Sequence, residues 1–160
     1  MKHTHVPTMR DMQWTDFLLC PDDLKEFLCQ YPKGDFLTNL MDFHAKFRES
    51  PEDYSFRVAR DPNGYPLVLG GWSHRTGVAW FVTTTQAERY PVRTLKAIKE
   101  CREEALKVCP QLVNVMMRSN NLHVRLLEHI GAEFVGPVYT IGSEPFQAFI
   151  IDGGVQCALL

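Results

Sequence analysis

The stretch NNLHVRLLEHIGAEFVG, residues 120–136, holds the signals that decide the fold. Two asparagines stand at its start, where side-chain oxygens commonly cap a helix, and the glycine at position 131 is typical of a helix end. Between them apolar residues recur with a helical period, and the chain then continues as an apolar run typical of a strand. We therefore predict a short amphipathic helix that leads directly into a β-strand.

Strand signals lie on both sides of this helix. The runs YSFRVAR and YPLVLGGW flank the turn DPNG, which is the pattern of an antiparallel hairpin. The run VAWFVT, residues 78–83, is apolar at almost every position, which predicts a central strand buried on both faces. Three further strands are predicted: LVNVMMR before the quoted helix, and EFVGPVYTI and FQAFIID after it.

Helical periods predict the other elements. A helix behind Pro21 would bury the stripe Leu24, Phe27, Leu28 and Tyr31. A second would bury Phe36, Leu37, Leu40, Met41, His44 and Phe47. A longer helix opens at Pro91, closes at Pro110 and would bury Val92, Leu95, Ile98, Cys101, Ala105 and Val108.

Composition limits the class of protein. The chain has 160 residues, 45% of them hydrophobic, and a formal net charge of -2, which suits one globular domain and disfavours sequence recognition of nucleic acid. We predict no membrane span and no signal peptide, and therefore a cytoplasmic setting. The five cysteines and six histidines show no metal-ligand spacing, so reduced thiols, no metal site and solvated or capping histidines are predicted.

The predicted fold class is α/β of the α+β kind, in a single domain. Residues 1–50 form an N-terminal segment with two helices that belongs to the same domain, residues 51–152 form the sheet with its helices, and residues 153–160 form a flexible tail. Clustered aromatic residues in the N-terminal helices exceed what a small sheet obviously covers, so we expect this segment to need other proteins. Deleting residues 1–50 should then leave the sheet soluble.

The order of elements and the quoted stretch resemble the GNAT acyltransferase fold. Its members carry a helix written N-x-x-A-x-x-L-Y-E-K-L-G-F, and here Asn120, Leu126, Glu128 and Gly131 stand at the matching positions. The resemblance implies a central mixed sheet flanked by helices and a site for acetyl-CoA. In an active enzyme of this kind, the cofactor-binding residues would be Phe81, Val82, Thr83, Gln86, Arg89 and Asn120.

Two departures from the GNAT pattern argue against catalysis. Leu127 stands where the family often carries a tyrosine that protonates the departing thiolate, and Ala132 replaces the phenylalanine after the glycine. The turn TTTQAERYPV has no glycine where the family binds pyrophosphate through backbone N–H groups, and Pro91 has no N–H to offer. We therefore predict no catalytic residue and no cofactor.

A second resemblance is more specific. Three motifs carry it: a G-[FY]-P-L strand ending in Gly-Gly, a W-F-V-T strand and an H-x-R-[FL]-L-x-x-I-G-A-x-F segment. Together they resemble the internal virion protein A family of short-tailed bacteriophages (podoviruses). The residues that carry it are Gly64, Pro66, Leu67, Gly70, Gly71, Trp80, Phe81, Val82, Thr83, His123, Arg125, Leu127, Ile130, Gly131, Ala132 and Phe134. It implies a protein linked to particle assembly and genome ejection. Its partners would be other internal virion and core proteins, and its locations the virion and the host cytoplasm.

Several residues have competing interpretations. Asn120 could bind a pantetheine carbonyl, but an N-cap is favoured. His123 and Arg125 could face a partner, although the solvated side of the helix is somewhat favoured. Ser73 beside His74 is better explained as a polar loop than as a nucleophile and base. The tail Cys157-Ala158-Leu159-Leu160 fits a prenylation pattern, but no basic residues precede it, so a loose apolar tail is favoured.

Two hypotheses therefore remain. The favoured one is a virion protein on a catalytically degenerate GNAT-like fold, and the alternative is an active GNAT-type N-acetyltransferase that uses acetyl-CoA. As a check on the strand register, Phe81 is expected to be fully buried in the central strand, so that its truncation costs about 3–5 kcal/mol.

Overall fold

The computed structural model describes residues 2–153, so the C-terminal cysteine pattern lies outside the described residues. Five helices and six strands follow one another along these residues: α1 (Met9–Leu18), α2 (Pro21–Gln30), α3 (Phe36–Glu49), β1 (Tyr54–Arg60), β2 (Pro66–Ser73), β3 (Ala79–Thr83), α4 (Pro91–Leu106), β4 (Gln111–Met117), α5 (Asn121–His129), β5 (Glu133–Ile141) and β6 (Glu144–Asp152). The predicted α+β order is confirmed, and α1 is the helix that the sequence periods missed.

The strands form two antiparallel sheets of three strands each. Their orders are β1-β2-β3 and β4-β6-β5, and an isolated parallel bridge between Val78 and Val113 joins them. The bridge lies where β3 and β4 begin, and the backbone N–H of Val113 donates there to the carbonyl of Gly77 at 2.9 Å. The predicted mixed sheet is therefore two antiparallel sheets that meet at one parallel contact.

Two apolar cores cover the sheets. The larger contains Trp72, Ala97, Ile98, Leu127 and Phe149, and it places α4 and α5 against the strands. The smaller contains Met12, Phe36, Leu40, Phe56, Val58 and Leu69, and it places α1 and α3 against the first sheet. Both cores share strands β1 and β2, which makes the N-terminal helices a layer of the same domain.

The strand at 78–83 is not the buried centre that the sequence predicted. β3 is the outer strand of its sheet, and its residues from Ala79 to Val82 are half-buried. Strand β2 is the buried one, with Leu67 and Leu69 both at 0% exposure. The prediction that Phe81 is fully buried is therefore wrong, because β3 borders the gap between the sheets.

Four aromatic residues of α2 and α3, Phe27, Phe36, Phe43 and Phe47, pack in the smaller core, whereas Phe17 of α1 is 78% exposed. Phe36 is buried, and the ring of Phe43 lies edge-on to the ring of Trp80, with 5.0 Å between centroids. Phe43 also lies 5.3 Å from the ring of Phe56 on β1. The first sheet therefore covers these rings. Deleting residues 1–50 would uncover Phe56, and whether the remaining sheet stays soluble remains a prediction.

Helix α2 is rotated about its axis relative to the prediction. Of the expected buried stripe, Leu24, Leu28 and Tyr31 are 40–51% exposed, and only Phe27 packs against the smaller core. Asp23, in contrast, is only 3% exposed. A buried carboxylate is stable only when hydrogen bonds replace its hydration. The orientation of α2 therefore depends on what Asp23 binds.

Within residues 2–153, no helix is both long and apolar enough to cross a bilayer.

Candidate functional site

The gap between β3 and β4 is the feature around which the site is built. The two strands meet at the bridge between Val78 and Val113, and the side-chain amide of Asn114 donates to the carbonyl of Ala79 at 2.8 Å. Their far ends, at Thr83 and Met117, belong to different sheets. Backbone donors at these ends therefore need acceptors from elsewhere in the chain.

Helix α2 supplies those acceptors. The backbone N–H of Thr83 donates to the Asp23 carboxylate at 2.5 Å, and the backbone N–H of Met117 donates to the Glu26 carboxylate at 3.2 Å. Asp23 and Glu26 are three positions apart, so both project from the same face of the helix. One turn of α2 thus bridges the ends of the two strands.

Helix α5 completes the cluster from the other side. Its N-cap residue Asn120 accepts a hydrogen bond from the backbone N–H of His123, and its amide donates to Asp23 at 2.9 Å. The Nε2 atom of His123 lies 2.9 Å and 3.0 Å from the two carboxylate oxygens of Asp23. We refer to Asp23, Glu26, Thr83, Asn120 and His123 as the α2 cluster.

Burial and charge set the electrostatics of the α2 cluster. Burial alone would raise the pKa of Asp23, but the charge of His123 and hydrogen bonds from His123, Thr83 and Asn120 hold it below its ordinary value. Burial alone would lower the pKa of His123, but the Asp23 carboxylate raises it above its ordinary value. Burial raises the pKa of Glu26, although the His123 charge opposes this shift. Asp23 and His123 therefore form a buried ion pair.

Six backbone donors in the turn between β3 and α4 bond to acceptors of the chain itself. The backbone N–H of Thr84 donates to Leu67, and that of Thr85 donates to the carbonyl of Leu18 at the end of α1. Further along, the N–H groups of Ala87, Arg89 and Tyr90 bond within the turn, and that of Gln86 bonds the hydroxyl of Thr84. These donors are engaged in internal hydrogen bonds.

The structure brings together only part of the predicted cofactor set. Thr83 and Asn120 meet at Asp23, and the ring of Phe81 stacks on His123 with 4.4 Å between centroids. Val82 packs against the smaller core instead. Gln86 and the exposed Arg89 bond to each other in the turn, at 3.5 Å.

The N-cap interpretation of Asn120 is confirmed, but the solvated interpretation of His123 is wrong. His123 is 4% exposed, and it pairs with a residue 100 positions away. Sequence reasoning also missed Asp23 and Glu26. Asp23, in the first turn of α2, is explained by the helix dipole alone, and Glu26 is an ordinary helix residue. The available signal was that Asp23 lies four positions before Phe27, which puts a carboxylate on the same helix face as a member of the apolar stripe.

A second polar pair was also missed. The Ser55 hydroxyl lies 2.7 Å from Nε2 of His74, and Nδ1 of His74 lies 2.7 Å from the carbonyl of Glu52. This pair ties the turn after β2 to the start of β1.

Among the described residues no group of three or more His, Cys, Asp or Glu side chains could hold a metal ion, and the four cysteines there are free thiols.

Comparison with solved structures places the fold in a class. The chain superposes with a TM-score of 0.67 on spermidine N-acetyltransferase from Vibrio cholerae in complex with CoA and spermine, at 12% identity over 93% of this chain and 94% of that one. Ribosomal-protein-alanine N-acetyltransferase from Brucella melitensis gives 0.68, at 12% identity over 94% and 99%. A GNAT superfamily phosphinothricin acetyltransferase from Sinorhizobium meliloti gives 0.66, at 10% identity over 94% and 88%. The fold is that of the GNAT acetyltransferases.

Sequence comparison goes beyond the fold. Residues 57–139 match the family described as bacteriophage T7, probable scaffold protein Gp13. The probable scaffold protein gp13 of Escherichia phage T7 is 33% identical over 114 residues, which cover 69% of this chain and 80% of that protein. The chain therefore belongs to the family of the phage T7 probable scaffold protein Gp13.

Proposed function

We propose that this chain is a bacteriophage assembly protein and an internal virion protein, on a GNAT-like fold that has lost acyl transfer. It joins other internal virion and core proteins during particle assembly. It then accompanies them into the host cytoplasm when the genome is ejected. The family membership supports the assembly role.

The observation that carries the loss of acyl transfer is the α2 cluster. Acyl-coenzyme A would need backbone donors at the end of β3 and polar groups at the start of α5, where the sequence resemblance puts its binding residues. Here Asp23 takes the N–H of Thr83 and the amide of Asn120. The carboxylates of Asp23 and Glu26 also occupy the backbone donors at the ends of both strands.

The turn before α4 fits the cofactor no better. A pyrophosphate binds through several unpaired N–H groups in a glycine-rich turn, since only glycine lets the backbone approach this closely. In residues 84–90 the donors described above already bond to acceptors of the chain, and side chains occupy each position. The residues present do not fit acetyl-CoA.

The position of the usual acid supports the same proposal. Leu127, which stands where the resemblance expects a tyrosine, is 3% exposed and packs in the larger core. Its side chain carries no proton to donate, and its burial contributes to stability in the ordinary way. Leu127 therefore serves packing at this position and cannot act as the acid.

The experiment that tests the assembly role separates a scaffold from a virion component. Assembly intermediates and mature particles would be purified separately and analysed by quantitative mass spectrometry. We expect this chain in both, together with the other internal proteins. Its absence from both would contradict the assembly role, and its presence in intermediates alone would contradict the virion role.

The ejection step needs its own measurement. Particles that carry the chain fused to a short epitope would be allowed to infect host cells, and the cells would then be fractionated. Protein synthesis would be blocked, so that any epitope detected in the cells comes from the infecting particles. Under this condition we expect the epitope in the host cytoplasm soon after infection. Retention of the epitope in the emptied particles would contradict a link to ejection.

A further inference from the structure

A serine and a histidine form a hydrogen-bonded pair at the end of the β1–β2 hairpin, and this pair shares no residue with the α2 cluster. The Ser55 hydroxyl lies 2.7 Å from Nε2 of His74, and Nδ1 of His74 lies 2.7 Å from the backbone carbonyl of Glu52. A carbonyl oxygen can only accept, so Nδ1 carries the proton. In the neutral imidazole Nε2 is then the acceptor, and the Ser55 hydroxyl donates to it. This is the tautomer that a general base needs beside a nucleophile.

The hairpin holds both side chains in place. Ser55 lies on β1 opposite Trp72 of β2, and His74 follows the last residue of β2. The backbone N–H of His74 donates to the carbonyl of Asp53 at 2.8 Å, and the Asp53 carboxylate pairs with Arg75 at 3.2 Å. Ser55 and His74 are both half-buried, so the fold fixes the pair and still leaves it accessible to a ligand.

An unpaired donor belongs to the same face of the sheet. Trp72 is 3% exposed, and its indole Nε1–H has no hydrogen-bond partner among the described residues. Trp72 and Ser55 are cross-strand partners, so their side chains share a face, with Cβ atoms roughly 4.5–5.5 Å apart. The rings of Trp72 and His74 lie 6.4 Å apart between centroids. A buried donor without an acceptor is destabilising, and a ligand oxygen beside the Ser55 hydroxyl would supply that acceptor.

Trp72 also lines a mainly apolar cavity between α4 and the first sheet. The cavity has a volume of about 70 Å³, and Ala97 and Ala105 line it from α4. On β1 its lining includes Arg57, two positions from Ser55, and strand side chains two positions apart share a face. Ser55 therefore lies on the sheet face that borders the cavity. A water molecule takes about 30 Å³ in the liquid, so the cavity admits only a short apolar group.

From this arrangement we infer that Ser55 is a nucleophile toward a small carboxylic ester with a short apolar acyl group, and that His74 is its base. The serine, the base in the required tautomer, the unpaired indole N–H and the apolar cavity are four separate features that one ester would use together. The inference is independent of the assembly role.

The reaction needs no cofactor. Ser55 Oγ forms a bond to the carbonyl carbon while its proton passes to Nε2 of His74, and the Trp72 N–H donates to the oxygen on which negative charge develops. The bond from the carbonyl carbon to the alkoxy oxygen then breaks, and Nε2 returns the proton to the departing alcohol. Water attacks the acyl-serine in the same way, which releases the carboxylic acid and restores the Ser55 hydroxyl.

Covalent labelling of the full chain with a fluorophosphonate probe tests the nucleophile. The probe bonds serine Oγ to phosphorus and releases fluoride, and mass spectrometry of peptides identifies the labelled residue. The variants are Ser55→Ala and His74→Gln. The matched control is Ser73→Ala, because Ser73 is a half-buried serine next to His74 whose hydroxyl accepts a hydrogen bond from the backbone N–H of Thr76 at 3.3 Å.

We expect the probe to label Ser55 at the same rate in the native chain and in Ser73→Ala. Labelling of Ser55 should be at least about ten-fold slower in His74→Gln, since a general base contributes roughly 10²–10⁴-fold. Melting curves from circular dichroism would verify that each variant is folded. No labelling of Ser55 in the native chain, or labelling that does not depend on His74, would show that the pair only fastens the hairpin and would overturn the inference.

Hydrolysis of nitrophenyl esters tests the donor and the cavity. Trp72→Phe keeps most of the ring and removes the N–H, so we expect kcat to fall about ten-fold or more with a smaller change in KM. On the native chain, the butyrate ester should be hydrolysed faster than the octanoate ester, because the cavity is small. An unchanged kcat in Trp72→Phe would contradict the role of the indole N–H. Preference for octanoate, or no hydrolysis of either ester that depends on Ser55, would contradict the proposed site.

Discussion

The gap between β3 and β4 and the cleft at the start of α4 differ in how their polar groups are satisfied. In the gap, α2 brings carboxylates to the backbone donors of the strands, so the α2 cluster is closed within the chain. The cleft at the start of α4 is an open cavity whose lining includes Lys2, Arg93 and Lys96 and, among the described residues, no carboxylate. The position of a site in a fold therefore does not decide its ligand. The groups that remain unpaired decide it.

The largest expected effect comes from removing the carboxylate that closes the gap. Asp23→Ala would leave the donors of Thr83, Asn120 and His123 buried without an acceptor. Breaking a buried ion pair in this way costs about 3–5 kcal/mol. The free energy of unfolding, from urea titration monitored by circular dichroism, measures this loss.

Asp22→Ala is the matched control, because Asp22 is the exposed neighbour on the same turn of α2. A surface substitution usually changes stability by about 0.5 kcal/mol or less. Similar losses in the two variants would contradict the closed gap, since the burial of Asp23 would then contribute nothing.

A smaller loss is expected from Phe81→Ala, which tests the strand at the edge of the gap. The half-buried ring of Phe81 stacks on His123, so its truncation should cost about half of the usual 3–5 kcal/mol for a core aromatic. Phe56→Ala, at a ring that is 0% exposed, should show the full loss. Equal losses would mean that β3 is the central strand after all.

The pH dependence of stability gives a smaller effect. The pKa of His123 is raised in the folded chain, so its contribution is fully present below about pH 6.5 and is lost as the pH rises through the folded value. Glu26, whose pKa burial raises, acts in the same direction. The pKa of Asp23 is lowered, so its contribution is present above about pH 3.9 and is lost as the pH falls through the folded value.

For the Asp23–His123 pair, stability should therefore be greatest between about pH 4 and pH 6.5, and Glu26 adds a decline that begins above about pH 4.3. Each proton involved changes the stability by at most about 1.4 kcal/mol per pH unit. Urea unfolding from pH 4.5 to pH 9 would be compared between the native chain and His123→Gln. The variant should lose the decline above neutral pH that His123 causes. Parallel curves would show that His123 does not titrate with folding.

The sequence predicted the elements whose signals are local. Helix α5 was predicted because Asn120 caps it and Gly131, with a φ of +86°, follows its end, and both signals lie in the helix itself. The β1–β2 hairpin was predicted for the same reason, from its turn DPNG. Such signals identify an element without knowledge of what packs against it.

The sequence did not predict the way α2 faces or the exposure of β3. The stripe of Leu24, Leu28 and Tyr31 has the period of a buried face, but the partners of Asp23 lie 60 to 100 positions away. Only the tertiary structure shows that Asp23 gains enough hydrogen bonds to offset its burial. An apolar strand such as β3 likewise does not reveal whether a neighbouring strand covers it.

The net charge concealed the basic lining of the cleft at the start of α4 in a similar way. A formal charge of -2 correctly describes the whole chain, yet Lys2, Arg60 and Lys96 come from separate segments that the fold brings to one cavity. Composition averages over the surface, whereas binding depends on the local field. Charge therefore has to be assessed after folding as well as before it.

The most direct test of the closed gap is a residue-resolved amide spectrum of the full chain during titration with acetyl-CoA. The account predicts that the N–H signals of Thr83 and Met117 do not move at millimolar ligand, because Asp23 and Glu26 already accept their hydrogen bonds. Saturable shifts at Thr83 and Met117 would contradict the account and would restore an active acetyltransferase.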